Sequence, residues 1–340
     1  EYQQGGARGA VQNVVDATLA ALDFAASNDV RMTHARSYLG GGVAALLGSV
    51  LGIPYLFDIR GYWIDERLDE GRWFTHPLAE AAARFVEREL YRRSAGVVSL
   101  ARPAADDIRA GRFGGFSGPI DVIPTCVDDE EFCTAPAEAG CVPASIVDEL
   151  ADRLVVGFVG SVNASYRVRE GFELFRAVHC SDPEARLLCL TGQPELVESM
   201  LDEVGIPDGA RIVRRVPHED VAMWLRLVDW GLLLLNEAFA KRASMPTKLG
   251  EFFATGVRPV VFGCNQEVRD WAEKSGTGIV LTDTEPPSLR RAAIQIVAAG
   301  KVDRLLVTRA ALDRTMRHFS LRSGVERYDA IYRALLSRSA

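Results

Sequence analysis

The sequence lacks the patterns that bind metal. Its six cysteines (126, 133, 141, 180, 189 and 264) are scattered, form no CxxC pair and do not cluster with any of the five histidines. That spacing excludes a conventional zinc site. Cys180 and Cys189 lie in apolar contexts and are expected to be reduced core residues. No apolar run approaches the ~20 residues needed to span a membrane. The longest candidates, 43–51 and 232–235, are interrupted by glycine or too short. An excess of positive charge is also missing. The formal net charge is −7, which argues against a protein held on nucleic acid by phosphate contacts. No repeat of solenoid period is visible. The sequence begins at Glu1 without Met, as expected of a fragment, and shows no signal-peptide pattern; the location expected is cytoplasmic.

What is present is the composition of a folded protein. Of the 340 residues, 48% are hydrophobic and 25% charged, and the length suits two domains. Strand and helix signals alternate, the pattern of a parallel α/β sheet. In the first half, strands are predicted at 30–33, 54–59, 96–100 and 120–123. Helices are predicted at 10–26, 40–51, 78–93 and 103–110. From 128 to 153 acidic residues, Pro136, Gly140 and Pro143 replace the apolar periodicity, as in a linker. A second α/β unit begins at Leu154, with strands at 155–159, 186–190, 211–213, 230–235, 257–262 and 278–281. After Pro287 the chain reads as helices at 289–299, 302–315 and 324–337.

The richest segment is Ser244-Met245-Pro246-Thr247-Lys248-Leu249-Gly250-Glu251. It opens a predicted helix directly after the apolar strand that contains Leu232, Leu233 and Leu234. A helix amino terminus at the carboxyl end of a parallel strand favours anions through its open N–H groups and its dipole. Lys248 adds a positive charge. One turn on, the Glu251 carboxylate has oxygens to accept two hydroxyl hydrogen bonds, as from a ribose diol. A diphosphate beside a sugar fits this arrangement. Read blandly, Lys248 and Glu251 are a solvated surface pair worth ~0.3 kcal/mol.

That segment resembles the donor-binding motif of family 4 glycosyltransferases of the GT-B fold. Three further segments occur in the order expected for that family. Phe57-Asp58-Ile59-Arg60-Gly61-Tyr62-Trp63-Ile64-Asp65-Glu66-Arg67 is similar to the FD-x-RG-x-W-x-DER block of a bacterial branch. Val122-Ile123-Pro124-Thr125-Cys126-Val127-Asp128 is similar to the VIPNGVD turn before the linker. Gly157-Phe158-Val159-Gly160-Ser161 is similar to the strand and turn that open the donor domain. The resemblance implies two Rossmann-like domains facing across a cleft. The first would cover 1–127 and be joined by a returning helix at 322–340, in which Tyr328, Ile331, Tyr332 and Leu335 have the spacing of a packing face. The linker would be 128–153 and the donor domain 154–321. Only one helix precedes the first predicted strand, so a family-like first strand and its glycine-rich loop are expected to be missing.

The resemblance also implies an activity: transfer of a sugar from a nucleotide-diphosphate donor to a hydroxyl acceptor, with retention, in polysaccharide or glycoconjugate assembly. It implies a lipid-linked saccharide as acceptor, peripheral contact with the inner face of the cell membrane, no metal and no cofactor. Donor-binding candidates are Gly160, Ser161, Arg167, Arg169, Thr191, Gly192, His218, Ser244, Lys248 and Glu251. Arg167 and Arg169 are alternatives for pairing with the diphosphate. His218 is either a nucleobase-loop residue or a plain helix start. Catalytic candidates are Asp58, Arg60 and Lys248. Arg60 would offset charge on the leaving diphosphate, and Asp58 would accept from a substrate hydroxyl. The competing reading of Asp58 and Arg60 is a structural ion pair. The family's second motif acid is replaced by Ala243, and its His-Asp pair by Arg60-Gly61. A nucleotide-sugar binding protein without catalysis and a nucleotide-sugar epimerase are therefore the alternatives.

Overall fold

A computed structural model describes residues 7–69, 71, 76–133, 141–302 and 315–338. The chain divides into two compact units. The first comprises Glu1–Ile123, Arg242–Ser244 and Glu326–Ala340, and the second Pro124–Lys241 and Met245–Val325.

In the first unit the elements run α1 (Ala7–Ser27), β1 (Thr33–Arg36), α2 (Ser37–Leu51), β2 (Tyr55–Asp58), α3 (Trp63–Asp69), α4 (Pro77–Arg93), β3 (Gly96–Ser99), α5 (Arg102–Arg109) and β4 (Ile120–Val122). The four strands form one parallel sheet in the order β1-β2-β3-β4. β2 and β3 are buried along their whole length, as central strands of a parallel sheet must be. Residue 41 is glycine because α2 lies against β2: a Cβ there would stand 2.9 Å from the Phe57 ring.

Two predictions for this unit need correcting. The first strand starts at Thr33 rather than Val30. Val30 instead joins the small core formed by Ala25, Leu47 and Ile53. The shift puts His34 and Arg36 inside the strand, with Ala35 as its buried residue. The short helix α3 was not expected, because seven residues are too few to show helical periodicity.

The second unit contains α6 (Ala144–Leu150), β5 (Val155–Val159), α7 (Val168–Ser181), β6 (Arg186–Leu190), α8 (Pro194–Val204), β7 (Arg211–Arg214), α9 (Val221–Leu225), β8 (Trp230–Leu234), α10 (Thr247–Thr255), β9 (Arg258–Phe262), α11 (Gln266–Lys274), β10 (Ile279–Val280) and α12 (Pro286–Ala299). All six strands are parallel, in the order β10-β9-β8-β5-β6-β7. Phe158, Phe172, Phe175, Leu187 and Leu232 lie in the core on one face of this sheet. Cys189 is buried as expected, but Cys180 is exposed. It lies on the outer side of the amphipathic helix α7, so an apolar sequence context did not make it a core residue.

The last helix, α13 (Leu321–Arg338), has its later turns in the first unit, where Ile331 and Leu335 are buried. The predicted helix over 302–315 lies almost wholly outside the described residues, as does the middle of the predicted linker, 134–140.

Candidate functional site

The order of the six-stranded sheet reverses at β5. The chain leaves β5 for β6 and β7 on one side, then returns to place β8 on the other. Neighbouring loops at the carboxyl ends of β5 and β8 therefore diverge and leave a crevice, the usual ligand position of an open α/β sheet. Gly160 directly follows β5, and the turn after it is tied to the end of β8. Tyr166 pairs with Leu235 as an isolated antiparallel bridge. Arg167 N–H donates to the Leu234 carbonyl (2.9 Å), and Asn236 N–H to the Ser165 carbonyl (2.9 Å).

Lys248 reaches this crevice from the first turn of α10. The sequence fixes that helix at both ends. Pro246 occupies the N-cap position and offers no side-chain cap, and Gly256 stops the helix in the left-handed conformation at φ 77°. The Lys248 ammonium sits so close to the Gly160 backbone that a Cβ on residue 160 would lie 2.7 Å from Nζ. Gly160 has φ 115°, a second reason for glycine there. Nζ lies 3.9 Å from the centroid of the Tyr166 ring and 5.8 Å from that of Phe158. Among the described residues it has no hydrogen bond or ion pair. Burial lowers the Lys248 pKa to about 8, against the opposing pull of Glu251.

Glu251 is only 7% exposed. Burial raises its pKa, while His218 and Lys248 act to lower it and Glu131 to raise it. Its carboxylate makes no hydrogen bond among the described residues. A buried carboxylate without donors is costly, and a ligand bringing hydroxyl donors would remove that cost. His218, in a 3-10 turn rather than an α-helix, is exposed, with its ring 6.4 Å from that of Phe132. Ser161 Oγ accepts from Asn163 Nδ2 (2.8 Å). Thr191 is buried and its hydroxyl accepts from Gln193 N–H (3.1 Å). Around Gly192 there is open space, and its carbonyl accepts from Arg215 (2.6 Å). Ser244 is half-buried and grouped with the first unit.

The two arginine alternatives separate. Arg169 is turned to the helix surface and pairs with Glu203 (2.7 Å) and Glu173 (3.6 Å). Arg167 stays by the end of β8, where it bonds Thr284 (3.0 Å) and Glu237 (3.1 Å) and lies over the Phe262 ring. Arg167 is therefore the candidate of the two. Tyr166, which did not figure among the sequence candidates, holds the most direct contact to Lys248. An aromatic one residue before the basic pair was its only signal.

In the first unit, Asp58 ends β2 and is 3% exposed. Tyr328, on α13, donates its hydroxyl to Asp58 Oδ2 (3.2 Å). His34 Nε2 stands 3.7 Å from the same oxygen, and His34 Nδ1 is 2.7 Å from the Tyr332 hydroxyl. Asp58 Oδ1 is enclosed and without a hydrogen-bond partner. Arg60 adopts φ 58° and Ser37 φ 67°, and these are the positive-φ non-glycine residues of the described chain. Both follow the ends of adjacent strands, where strained backbone often marks a working site. Of the charged residues in the 57–67 block, Asp65 is set apart: it is buried in a bidentate pair with Arg84 (2.7 and 3.0 Å). Arg84 also bonds Glu87 (3.1 Å), so Asp65 belongs to a structural network. Among the described residues, no group of His, Cys, Asp and Glu has the arrangement to hold a metal.

Residues 4–126 match the model of a glycosyl transferase 4-like domain. The 2-deoxystreptamine glucosyltransferase of Streptomyces kanamyceticus is 25% identical over 195 residues, covering 56% of this chain and 48% of that enzyme. The match thus spans about half the relative's length. Sucrose-phosphate synthase from Thermosynechococcus elongatus superposes with a TM-score of 0.73 at 16% identity, over 99% of this chain and 83% of that one. The trehalose 6-phosphate synthase of Burkholderia multivorans gives 0.69 at 13% identity, over 99% and 79%. Anabaena HepE, in complex with UDP and glucose, gives 0.68 at 13% identity, over 96% and 83%. The fold is GT-B. In this GT-B chain the glycosyl transferase 4-like match falls on the first half, and the six-stranded sheet with its switch point is the second Rossmann-like half.

Proposed function

We propose that this protein is a glycosyltransferase that moves a sugar from a nucleoside-diphosphate sugar to a hydroxyl acceptor, with retention. The observation that carries the reading is the Lys248 ammonium, held over the Gly160 backbone at the switch point with buried Glu251 one turn away. In the reaction the acceptor oxygen bonds to the anomeric carbon as the bond from that carbon to the diphosphate oxygen breaks. The diphosphate leaves with the electron pair, and the acceptor proton passes to it. Lys248 and the α10 amino terminus balance the charge that develops on the leaving group. Glu251 accepts from the ribose hydroxyls, and Arg167 and His218 flank the nucleotide. The same balance of charge leads us to infer that no divalent metal is needed.

Acceptor recognition is assigned to the first unit, around Arg60 and the ends of β1 and β2. The acceptor class inferred is a lipid-linked saccharide used in surface polysaccharide or glycoconjugate assembly, met at the cytoplasmic face of the membrane. Among the described residues no helix is long and apolar enough to cross a membrane. Peripheral contact is supported by exposed Leu39, Leu46 and Val50 on α2 and Leu78, Phe85 and Val86 on α4.

UDP-glucose is the donor to test first, because HepE was solved with UDP and glucose. The experiment is a thermal-shift screen of nucleoside diphosphates and nucleotide sugars on the full chain, followed by transfer assays in excess chelator. Stabilisation by at least one nucleoside diphosphate and transfer with chelator present are expected. Absence of binding by any of them would overturn the reading. Activity abolished by chelator and restored by magnesium would overturn its metal-free leaving group.

A further inference from the structure

Lys248 has a positively charged end in a confined place, and among the described residues nothing polar holds it. Its ammonium is walled by the Gly160 backbone on one side and the Tyr166 ring on another. A lysine side chain has four rotatable bonds, and an unheld ammonium gains by swinging out to water. Something must offset that gain. The Tyr166 ring centroid lies 3.9 Å from Nζ, well inside the ~6 Å range of a cation–π contact. Tyr166 is itself fixed by its backbone. It pairs with Leu235, its N–H bonds the Asn163 carbonyl (3.2 Å), and the residues on both sides of it bond to the chain leaving β8. The backbone beneath the ring is therefore anchored to the end of β8, whereas Lys248 is a long side chain from another element.

We propose, resting on the donor-site reading above, that Tyr166 is a positioning residue: its ring face holds the Lys248 ammonium over the β5 turn, so that the charge is in place before a diphosphate arrives. Preorganisation of this kind removes the need to order the lysine during binding. The ring, not the phenol hydroxyl, is the working part. That separates the proposal from ordinary packing, in which volume is what counts.

The test uses the full chain with Tyr166→Phe and Tyr166→Leu, and Tyr166→Met as a second ringless variant should Leu fail to fold. The first readout needs no ligand. The pH dependence of Lys248 acylation by trace acetic anhydride, followed by mass spectrometry of its peptide, gives the midpoint of its titration. The wild type and Tyr166→Phe are expected to share a midpoint. The ringless variants are expected to titrate higher, toward the ordinary lysine range, because an ammonium no longer held by the ring swings out to water and escapes the burial that lowers its pKa. Equal midpoints in all variants, or a lowered midpoint without the ring, would overturn the assignment, because the lysine would then stay buried whether or not the ring holds it. The second readout is UDP affinity. Tyr166→Phe should bind within about twofold of wild type and the ringless variants about five- to tenfold more weakly. Loss of affinity in Tyr166→Phe equal to that in Tyr166→Leu would also count against a role for the ring. Failure of every protein, wild type included, to bind UDP or another nucleoside diphosphate would overturn the donor-site reading, and the acylation midpoints would still decide the role of Tyr166.

Discussion

Gly160 and Lys248 approach so closely that a side chain at position 160 would displace the lysine: a Cβ there would lie 2.7 Å from its Nζ and 2.8 Å from its Cε. The turn after β5 is thus shaped around a lysine from α10. Gly160→Ala should act twice. The φ of 115° is strained for alanine, with a cost of about 1–3 kcal/mol in fold stability. The displaced ammonium should lower nucleoside-diphosphate affinity by a further 1.5–3 kcal/mol or so, the scale of a hydrogen bond to a charged group. Urea unfolding and calorimetry on the full chain separate the two effects. A variant that binds as the wild type does would remove Lys248 from the donor site.

The pH dependence of binding follows from the same lysine. In the free protein Lys248 loses its proton near pH 8, rather than near its ordinary 10.5. A bound diphosphate holds the ammonium in its charged form. Affinity should therefore be flat below about pH 8 and fall about tenfold per unit above it. The acid side has its own limb. Burial raises the Glu251 pKa, and the protonated acid is the poorer acceptor, so affinity should also fall as pH drops through a value above the usual carboxylate range. Calorimetry as a function of pH would show both limbs. Lys248→Ala should lose the alkaline limb alone. The sign for stability is opposite to that for binding. Between about 8 and 10.5 the unfolded chain holds the Lys248 proton and the folded chain does not, so the lysine's contribution to stability rises with pH across that window.

Glu251→Gln should separate binding from folding. The carboxylate is buried without a hydrogen-bond donor, so neutralising it removes a desolvation cost. The melting temperature should stay level or rise. Donor affinity should fall by about 1.5–3 kcal/mol, because an amide oxygen accepts more weakly than a carboxylate. Unchanged donor affinity, or a melting temperature several degrees lower, would contradict this account.

Much of this was legible in the sequence. Continuous apolar runs such as Leu232-Leu233-Leu234 announced buried parallel strands, and Pro246 with Gly256 bracketed α10. The place of Lys248 and Glu251 on the first turns of α10 was readable because a helix start follows the apolar strand. What was not legible depends on partners distant in sequence. Nothing local shows that Asp65 will be taken by Arg84, or that Arg169 will turn to Glu203 while Arg167 stays by β8. The start of β1 was misplaced because Val30 is as apolar as a strand residue but packs beneath α1 and α2. Tyr166 was passed over because a half-buried aromatic in a loop carries no pattern of its own. Its role appears only when β5, β8 and α10 are assembled.

Tyr328 and Asp58 provide the last prediction. The Asp58 carboxylate is nearly fully buried, with one oxygen held by the Tyr328 hydroxyl at 3.2 Å and the other without a partner. Burial and the nearby carboxylate push the Tyr328 pKa well up, so the phenol stays a donor throughout the working range. Tyr328→Phe would take away that donor and leave the buried carboxylate without a hydrogen-bond donor among the described residues, with His34 Nε2 at 3.7 Å. Fold stability should fall by about 1.5–3 kcal/mol. In an Asp58→Asn background the same substitution should cost only about 0.5–1.5 kcal/mol, because the acceptor is then neutral. The difference between the two costs is the coupling of the pair, read by urea unfolding of the four proteins. A coupling near zero would mean that the hydroxyl does not hold the carboxylate. Asp58 would then be open to accept from a substrate hydroxyl. A substantial coupling instead makes Asp58 the anchor of α13 on the first unit, and places acceptor recognition with the strained Arg60 beside it.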